Sequence, residues 1–143
     1  MAKVHITTPD KVPWQVSGLR EQNEAAQAIL PDGGPASAYK IREPGSDKRP
    51  QLVELRMHPH EVVELHCHDE DEIMYILSGE MRLGNRKLGP GATVTIAGGV
   101  FYGFTAGSDG LHFLNFRAQI DTSFHLPGKR QFDDPAAPIG VSQ

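Results

Sequence analysis

The residues with the clearest chemistry lie together in residues 64–81, "ELHCHDEDEIMYILSGEM". His66 and His68 are two positions apart, so on a β-strand both side chains point to the same face. After a tight acidic turn, Glu72 begins the returning strand and presents its carboxylate toward the same space. Two imidazoles and one carboxylate are the donor set that binds a divalent transition metal and leaves coordination positions open. The sequence therefore predicts a metal site, with ordinary hydrogen bonding of both histidines at a barrel mouth as the alternative.

The surrounding pattern predicts the elements that position this site. The 143-residue chain has the size of one compact domain, and its 15 Gly and 11 Pro require frequent turns. From Ala38 onward, apolar and polar residues alternate in short runs separated by Gly and Pro, which predicts an all-β sandwich or barrel. We predict a single domain over residues 1–143, with its core at about 38–120, an N-terminal arm at 1–37 and a C-terminal arm or tail at 121–143.

Local signals predict further elements. Alternation over residues 3–7 predicts a short edge strand, and helix formers over 19–30 predict a short helix. Residues 83–88 have the pattern of a hairpin with a Gly-Asn turn. Gly79 and the run 107–110 are typical of turns that end strands. The strands before and after each turn are expected to be short.

Composition and charge exclude several functions. The formal net charge is −4 and Lys and Arg form no long cluster, so we expect no nucleic-acid partner. The sequence contains no run of eighteen apolar residues, the length that a membrane-spanning helix requires. Its first residues do not have the pattern of a signal peptide, so we expect a cytoplasmic protein without a membrane partner. The single cysteine, Cys67, predicts no intrachain disulfide and points to the face opposite the two histidines.

The spacing of the site resembles the first motif of the cupin superfamily. That pattern is a histidine, one residue, a histidine, three or four residues, a glutamate, six residues and a glycine. His66, His68, Glu72 and Gly79 match it position by position, whereas His60 stands where the motif begins with glycine. The resemblance implies an all-β cupin fold, a jelly-roll barrel or double-stranded β-helix, with a short N-terminal helical or irregular segment.

The second cupin motif is only partly present. Gly91 and Gly99 match its glycines, but Ala97 stands in the place of its proline. Tyr102 occupies the position of the histidine that completes the metal site in the family, and Ala106 replaces an asparagine. The resemblance therefore implies three metal ligands and leaves the fourth open.

Tyr102 has three possible roles at that position. A bound cation favours a phenolate ligand, because it lowers the pKa of the hydroxyl. A phenol beside the substrate also serves as a general acid or base. The third role is an aromatic wall of the cavity, next to Phe104. Cupins in which a tyrosine contributes to the site are known, so its presence is compatible with catalysis.

Other side chains are candidates for the same cavity. His112 is the rival fourth ligand, or a packed residue with one hydrogen bond, on a strand where it shares a face with Leu114 and Phe116. Met74, Ile76 and Phe104 are candidate residues of an apolar substrate pocket, although core filling is an equally ordinary role for such residues. Arg82 and Arg117 are candidate partners of a substrate carboxylate, with the surface as the commoner place for both.

Together these features predict a metal-dependent cupin enzyme that acts on a small organic molecule. The resemblance favours a dioxygenase-type oxidoreductase with iron or manganese, while nickel, zinc or copper would accept the same donors. A metal-dependent lyase or isomerase is one alternative, and a non-catalytic small-molecule-binding cupin is the other. Small cupins also suggest a homodimer, with the edge strand at residues 3–7 pairing across the interface.

Overall fold

The structure is a computed structural model that describes residues 4–16 and 23–128. Its helical elements are a 3₁₀ turn at Pro9–Lys11 and one helical turn, α1, at Glu24–Gln27, where the Asn23 side chain accepts hydrogen bonds from the first two backbone N–H groups. The strands are β1 Ala38–Glu43, β2 Gln51–Met57, β3 Val62–His66, β4 Glu72–Leu83, β5 Arg86–Leu88, β6 Thr93–Ile96 and β7 Tyr102–Arg117.

All of these strands pair in antiparallel fashion, with β7 at the centre. The main order is β1-β2-β7-β4-β5, while β3 pairs with β7 and β6 pairs with β4. The long strand β7 pairs with β2, β3 and β4, and β4 also pairs with β6. These two strands therefore connect all parts of the sheet around one core. The predicted all-β jelly-roll architecture is confirmed.

The alternation along β4 and β7 decides which side chains enter this core. On β4, Glu72, Met74 and Ile76 are buried, while the residues between them are largely exposed. On β7, Phe113 and Asn115 are buried, whereas Phe116 is exposed. Because alternate residues of a strand face opposite sides, β7 sends its odd-numbered residues inward at this end. Glu72 on β4 and Asn115 on β7 bring polar groups into this largely apolar core.

Gly79 does not end a strand, which corrects the predicted turn. The residue lies inside β4 with φ +81°, and a Cβ there would overlap the carbonyl oxygen of Gly110. The pairing of β4 with β7 shifts here, since Gly79 lies opposite Leu111 but Met81 lies opposite Ala106. Residues 107–110, also predicted as a turn, belong to β7 and form the irregularity that absorbs this shift.

The N-terminal predictions are partly wrong. Residues 4–7 form no strand, because their contacts to β1 run through side chains, with His5 bound to Glu43 and the Thr7 hydroxyl to the Arg42 carbonyl. The predicted helix at 19–30 is reduced to α1, and residues 19–22 lie outside the described residues. The predicted hairpin at 83–88 is confirmed, with Leu83 opposite Arg86. No helix in the described ranges combines the length and apolar character needed to cross a membrane.

Candidate functional site

The two predicted histidines converge at the end of β3. The Nε2 atoms of His66 and His68 lie 3.1 Å apart. The other nitrogen of each ring is hydrogen-bonded to the backbone. His66 Nδ1 lies 2.7 Å from the Glu64 carbonyl oxygen, and His68 Nδ1 lies 2.5 Å from the Ser123 carbonyl oxygen. A carbonyl oxygen only accepts, so both Nδ1 atoms carry hydrogen. When both rings are neutral, each Nε2 therefore presents a lone pair toward the other.

Two lone pairs at this distance repel each other unless a cation lies between them. Burial, more than the neighbouring His68, holds the pKa of the His66 imidazole below its ordinary value, which favours the neutral ring. Nitrogen donors that share a transition metal at about 2.0–2.1 Å lie roughly 3.0–3.4 Å apart, depending on the coordination geometry. The separation of the two imidazoles therefore fits a shared metal ion.

Glu72, the third predicted ligand, is 1% exposed and already has three partners. Its Oε1 accepts hydrogen bonds from the Tyr102 hydroxyl and, at 3.4 Å, from the Asn115 amide, while its Oε2 lies 2.9 Å from Arg117 Nη2. The same Oε2 lies 3.6 Å from His68 Nε2, within reach of the space between the imidazoles. The Arg117 guanidinium balances the buried negative charge, as a buried carboxylate requires.

The predicted three-ligand set is thus brought together in space but is not arranged as a finished metal site. Within residues 4–16 and 23–128, no group of three His, Cys, Asp and Glu side chains has the geometry to hold a metal ion as it stands. The physical reason is that the Glu72 carboxylate is directed to Arg117 and Tyr102 rather than to the imidazoles. The two nitrogen donors fit a metal, whereas the Glu72 carboxylate would have to turn from Arg117 and Tyr102 to reach it.

Tyr102 lies between the histidines and the apolar cavity. Its ring is 3% exposed and packs against His66, with centroids 4.5 Å apart, and against Phe104. Burial and the adjacent Glu72 carboxylate raise the pKa of the Tyr102 hydroxyl well above its ordinary value. The phenol is therefore neutral and donates to Glu72, so two of the three predicted roles, proton donor and cavity wall, match its surroundings without a metal.

Residues 121–126 form a C-terminal strap over the histidines. Besides the Ser123 carbonyl bound to His68, the Phe124 ring stacks on His66 with centroids 4.7 Å apart and an angle of 12°. His125 pairs with Cys67 through two backbone hydrogen bonds, which tie the strap to the end of β3. The start of the predicted C-terminal arm or tail therefore lies against both histidines.

A cavity of about 190 Å³ opens beside these groups. Its polar lining consists of His66, His68, Tyr102, Asn115 and Arg117. Its apolar lining is larger and consists of Leu55, Met57, Val63, Met74, Phe104, Phe113 and Phe124. A mainly apolar cavity with a few polar groups is the usual form of a small-molecule site.

Of the four predicted pocket residues, Met74 and Phe104 line the cavity, whereas Ile76 and His112 do not. Ile76 shares the inward face of β4 but is fully buried in the core. His112 points to the opposite face of β7, where its Nε2 lies 2.7 Å from Glu54 Oε2 and its ring contacts Trp14. It is therefore not the fourth ligand, because the strand alternation turns it away from His66.

Sequence reasoning missed Asn115 and the strap as parts of the site, and it missed the contact of Arg117 with Glu72. Arg117 is a candidate partner of a substrate carboxylate from the sequence, with the surface as its commoner place; in the structure its side chain is 12% exposed and binds both Glu72 and the Asp121 carbonyl. The signal was present, since Asn115 and Arg117 continue the alternation of Phe113. Choosing between the two faces of β7 required the strand pairing, which the sequence pattern alone does not determine.

No protein-family model matches the chain, and no curated protein sequence matches it at a significant level. Solved structures do match. Polyketide cyclase RemF from Streptomyces resistomycificus is 21% identical, with a TM-score of 0.61, covering 87% of this chain and 84% of the other. An RmlC-like cupin from Shewanella frigidimarina is 11% identical, with a TM-score of 0.60, covering 82% of this chain and 92% of the other.

A structure of Bacillus subtilis oxalate decarboxylase, described for its Mn(II) centres, is a further match. It is 20% identical with a TM-score of 0.55, and the match covers 64% of this chain and 29% of that longer chain. At these identities the comparisons establish the fold alone. The chain has the cupin fold, and solved structures of this fold include enzymes and a protein with manganese centres.

Proposed function

We propose that the protein is a metal-dependent enzyme that converts a small organic molecule in the cavity. His66 and His68 are the nitrogen ligands in this proposal, and Glu72 is the carboxylate ligand. The observation that carries it is the 3.1 Å separation of two Nε2 atoms whose rings are both fixed through Nδ1. Backbone carbonyls that orient metal-binding imidazoles in this way are the common outer partners of metal sites in proteins.

A divalent metal at this position supplies a Lewis acid with open coordination positions, and iron or manganese adds redox chemistry with dioxygen. Nickel, zinc and copper accept the same donors. The chain's own residues hold the imidazoles, pair the Glu72 side chain with Arg117, and line the cavity with Met74 and Phe104. These apolar walls reduce the access of water to the polar end, which strengthens electrostatic interactions there.

The first reaction class that we propose is a dioxygenase-type oxidation. Its support is the donor set itself, because two histidines and one carboxylate are the ligands of non-haem iron oxygenases. The chemistry then depends on the metal and on the fit of the substrate to the cavity, and Tyr102 acts as a wall and hydrogen-bond donor. Oxygen uptake that is coupled to substrate loss is the property expected of this class.

A lyase or isomerase is the second candidate, and the contact between Tyr102 and Glu72 favours it. A neutral phenol that donates to a carboxylate holds a transferable proton at the cavity wall. A substrate oxygen placed beside Tyr102 would receive a hydrogen bond from the phenol. The polyketide cyclase of the same fold is consistent with non-oxidative chemistry on this scaffold.

One experiment separates these proposals. Protein reconstituted with Fe(II) or Mn(II) is screened against a library of small organic molecules, with an oxygen electrode and mass spectrometry as readouts, in air and under argon. The dioxygenase proposal requires turnover in air alone, with oxygen consumed, whereas the lyase or isomerase proposal requires turnover under both atmospheres. The variant His66→Ala/His68→Ala must lose turnover in either case. A folded metal-free protein that binds library compounds without converting them would replace both proposals by a binding protein.

The variant Tyr102→Phe distinguishes further between the dioxygenase proposal and the lyase or isomerase proposal. This substitution removes the hydroxyl and leaves the ring that packs on His66 and Phe104. Under the lyase or isomerase proposal it lowers kcat by about 10²-fold or more with unchanged metal content, because general acid–base catalysis contributes roughly that factor. Under the dioxygenase proposal most of the activity is retained.

A further inference from the structure

We infer that the cavity takes a small, mostly apolar monoanion of the size of a monocyclic aromatic carboxylate, and that this anion binds more tightly when the metal site is filled. The inference rests on the proposed function and names its substrate class. It follows from three features of the cavity, namely its volume, the single polar patch in its wall and the balance of buried charge beside that patch.

The volume sets the size of the ligand. The cavity measures about 190 Å³ and is lined mainly by aliphatic and aromatic side chains. An apolar cavity of about 150 Å³ accepts benzene. The cavity of this protein therefore accommodates one ring with a short substituent, on the order of ten non-hydrogen atoms, whereas a fused three-ring system would extend beyond it.

The polar side chains of the wall form one patch rather than several. Tyr102, Asn115 and Arg117 all bind the same Glu72 carboxylate, and His68 Nε2 lies 3.6 Å from it. His66 joins the patch through its contact with His68. A ligand in this cavity is thus held with one polar group against the patch and with its apolar remainder among the phenylalanines and methionines.

The buried charges next to the patch decide the sign of that polar group. Glu72 and Asp121 are both buried carboxylates, and hydrogen bonds from Ser123 and the Glu70 amide keep the pKa of Asp121 below its ordinary value against the effect of burial. Arg117 is the cation that contacts both, through Glu72 Oε2 at 2.9 Å and Asp121 Oδ2 at 4.0 Å. Two buried negative charges thus face one buried positive charge.

This balance makes anion binding depend on the metal. Without a metal the buried groups carry one net negative charge, which repels an anionic ligand in a medium of low dielectric constant. A divalent ion at His66 and His68 changes the balance to one net positive charge. A single carboxylate, or the anion of an acidic phenol or enol, then neutralises the site. A neutral ligand of the same shape gains little from the metal.

The probes that test this inference are benzoate and its neutral isostere benzamide. Binding to the full-length protein is measured by isothermal titration calorimetry, once after loading with Mn(II) or Zn(II) and once after chelation, with the metal content of each sample quantified first. We expect benzoate to bind the loaded protein tighter than the chelated protein by on the order of tenfold or more. By reciprocity, benzoate tightens metal binding by the same factor. Benzamide should differ by less than about threefold between the two samples.

A size control and a charge variant complete the test. Anthracene-9-carboxylate carries the same anionic group on three fused rings and should bind the loaded protein more weakly than benzoate. Asp121→Asn removes one buried negative charge, so benzoate should bind this variant more tightly than the parent protein. Equal affinity of benzoate for loaded and chelated protein, or a metal preference equally strong for benzamide, would overturn the inference while leaving the proposed metal site intact. Failure of the protein to take up any metal would instead remove the proposed function and the inference with it.

Discussion

The Phe124 ring stacks on the His66 imidazole, with centroids 4.7 Å apart and planes within 12° of parallel. This contact joins the C-terminal strap to β3, two segments nearly sixty residues apart in the sequence. The next residue back, Ser123, binds the other histidine through its carbonyl. The strap therefore fixes the orientation of both imidazoles. The geometry of the two nitrogen donors consequently depends on the start of the C-terminal region.

Phe124→Ala should weaken metal binding without unfolding the protein. Outer partners of metal ligands commonly contribute about 10–100-fold in affinity, and we expect the lower end of that range because the ring orients His66 without a hydrogen bond. Competition against a chromophoric zinc chelator measures the effect. Phe116→Ala is the matched control, since Phe116 is exposed on the outer face of β7 and does not line the cavity. Equal zinc affinity of the two variants would contradict a role for the stacking.

Arg117→Gln should strongly destabilise the fold. The substitution leaves Glu72 buried without its cation, and such a loss costs about 3–5 kcal/mol in the free energy of unfolding. Urea denaturation at neutral pH measures it. The double variant Glu72→Gln/Arg117→Gln should be more stable than Arg117→Gln alone, because no buried charge is left uncompensated.

The control for this charge pair is Arg82→Gln. Arg82 Nε lies 2.7 Å from Glu80, but both side chains are about one-third exposed. An exposed ion pair contributes at most about 1 kcal/mol, so this variant should unfold almost like the parent protein. A loss for Arg117→Gln no larger than that for Arg82→Gln would show that Glu72 is not held as a buried ion.

Gly79→Ala should prevent or severely impair folding. A Cβ at this position would overlap the backbone of Gly110 in the neighbouring strand, and φ is +81°. Gly84→Ala is the matched control, because Gly84 also has positive φ, +59°, but open space around it. We expect the control to lose about 1 kcal/mol from backbone strain alone. Thermal unfolding followed by circular dichroism separates the two, and similar melting temperatures would contradict the close approach of β4 to β7.

Stability in acid should depend on Asp32, which anchors the N-terminal region to β2. Arg56 binds both oxygens of this carboxylate, at 2.6 and 3.1 Å, and its hydrogen bonds lower the pKa of Asp32 to about 2. Because this folded-state pKa lies below the unfolded value of 3.8, the stabilisation is complete above about pH 4 and disappears as the pH falls through 2.

Comparison with Asp32→Asn isolates that contribution from other acidic groups. The difference in unfolding free energy between the parent protein and the variant should shrink steadily from pH 5 toward pH 2. Urea denaturation at several pH values in this range, at constant ionic strength, provides the measurement. A difference that stays constant across the range would mean that the contact contributes through packing rather than through charge.

The sequence was sufficient for the fold class and for the pair of histidines. Period-two alternation placed Glu72, Met74 and Ile76 on one face of β4, and the His-x-His spacing placed two imidazoles together, because both depend only on local strand geometry. The contact of Arg117 with Glu72 and the place of Phe124 at the site were missed for a different reason. Their positions depend on the register between β4 and β7 and on the return of the chain to β3, and neither is encoded in a local period.

The same distinction explains the errors along β7. Gly107 and Gly110 have the composition of a turn, yet long-range pairing carries the strand through them with a shift in register. His112 belongs to a strand whose two faces both carry apolar residues, so alternation alone could not decide which face is inward. The Glu54 carboxylate on β2 is the partner that accounts for its position.

The most direct test of the account is the metal content of the purified, untagged protein, measured per chain by inductively coupled plasma mass spectrometry and compared with His66→Ala/His68→Ala. The account predicts close to one equivalent of a divalent transition metal after supplementation, and its loss from the variant while the circular dichroism spectrum is unchanged. His112→Ala is the control, since His112 binds Glu54 on the other face of β7 and should leave the metal content unaltered. Less than about a tenth of an equivalent in the folded parent protein, or equal content in the double-histidine variant, would contradict the metal site.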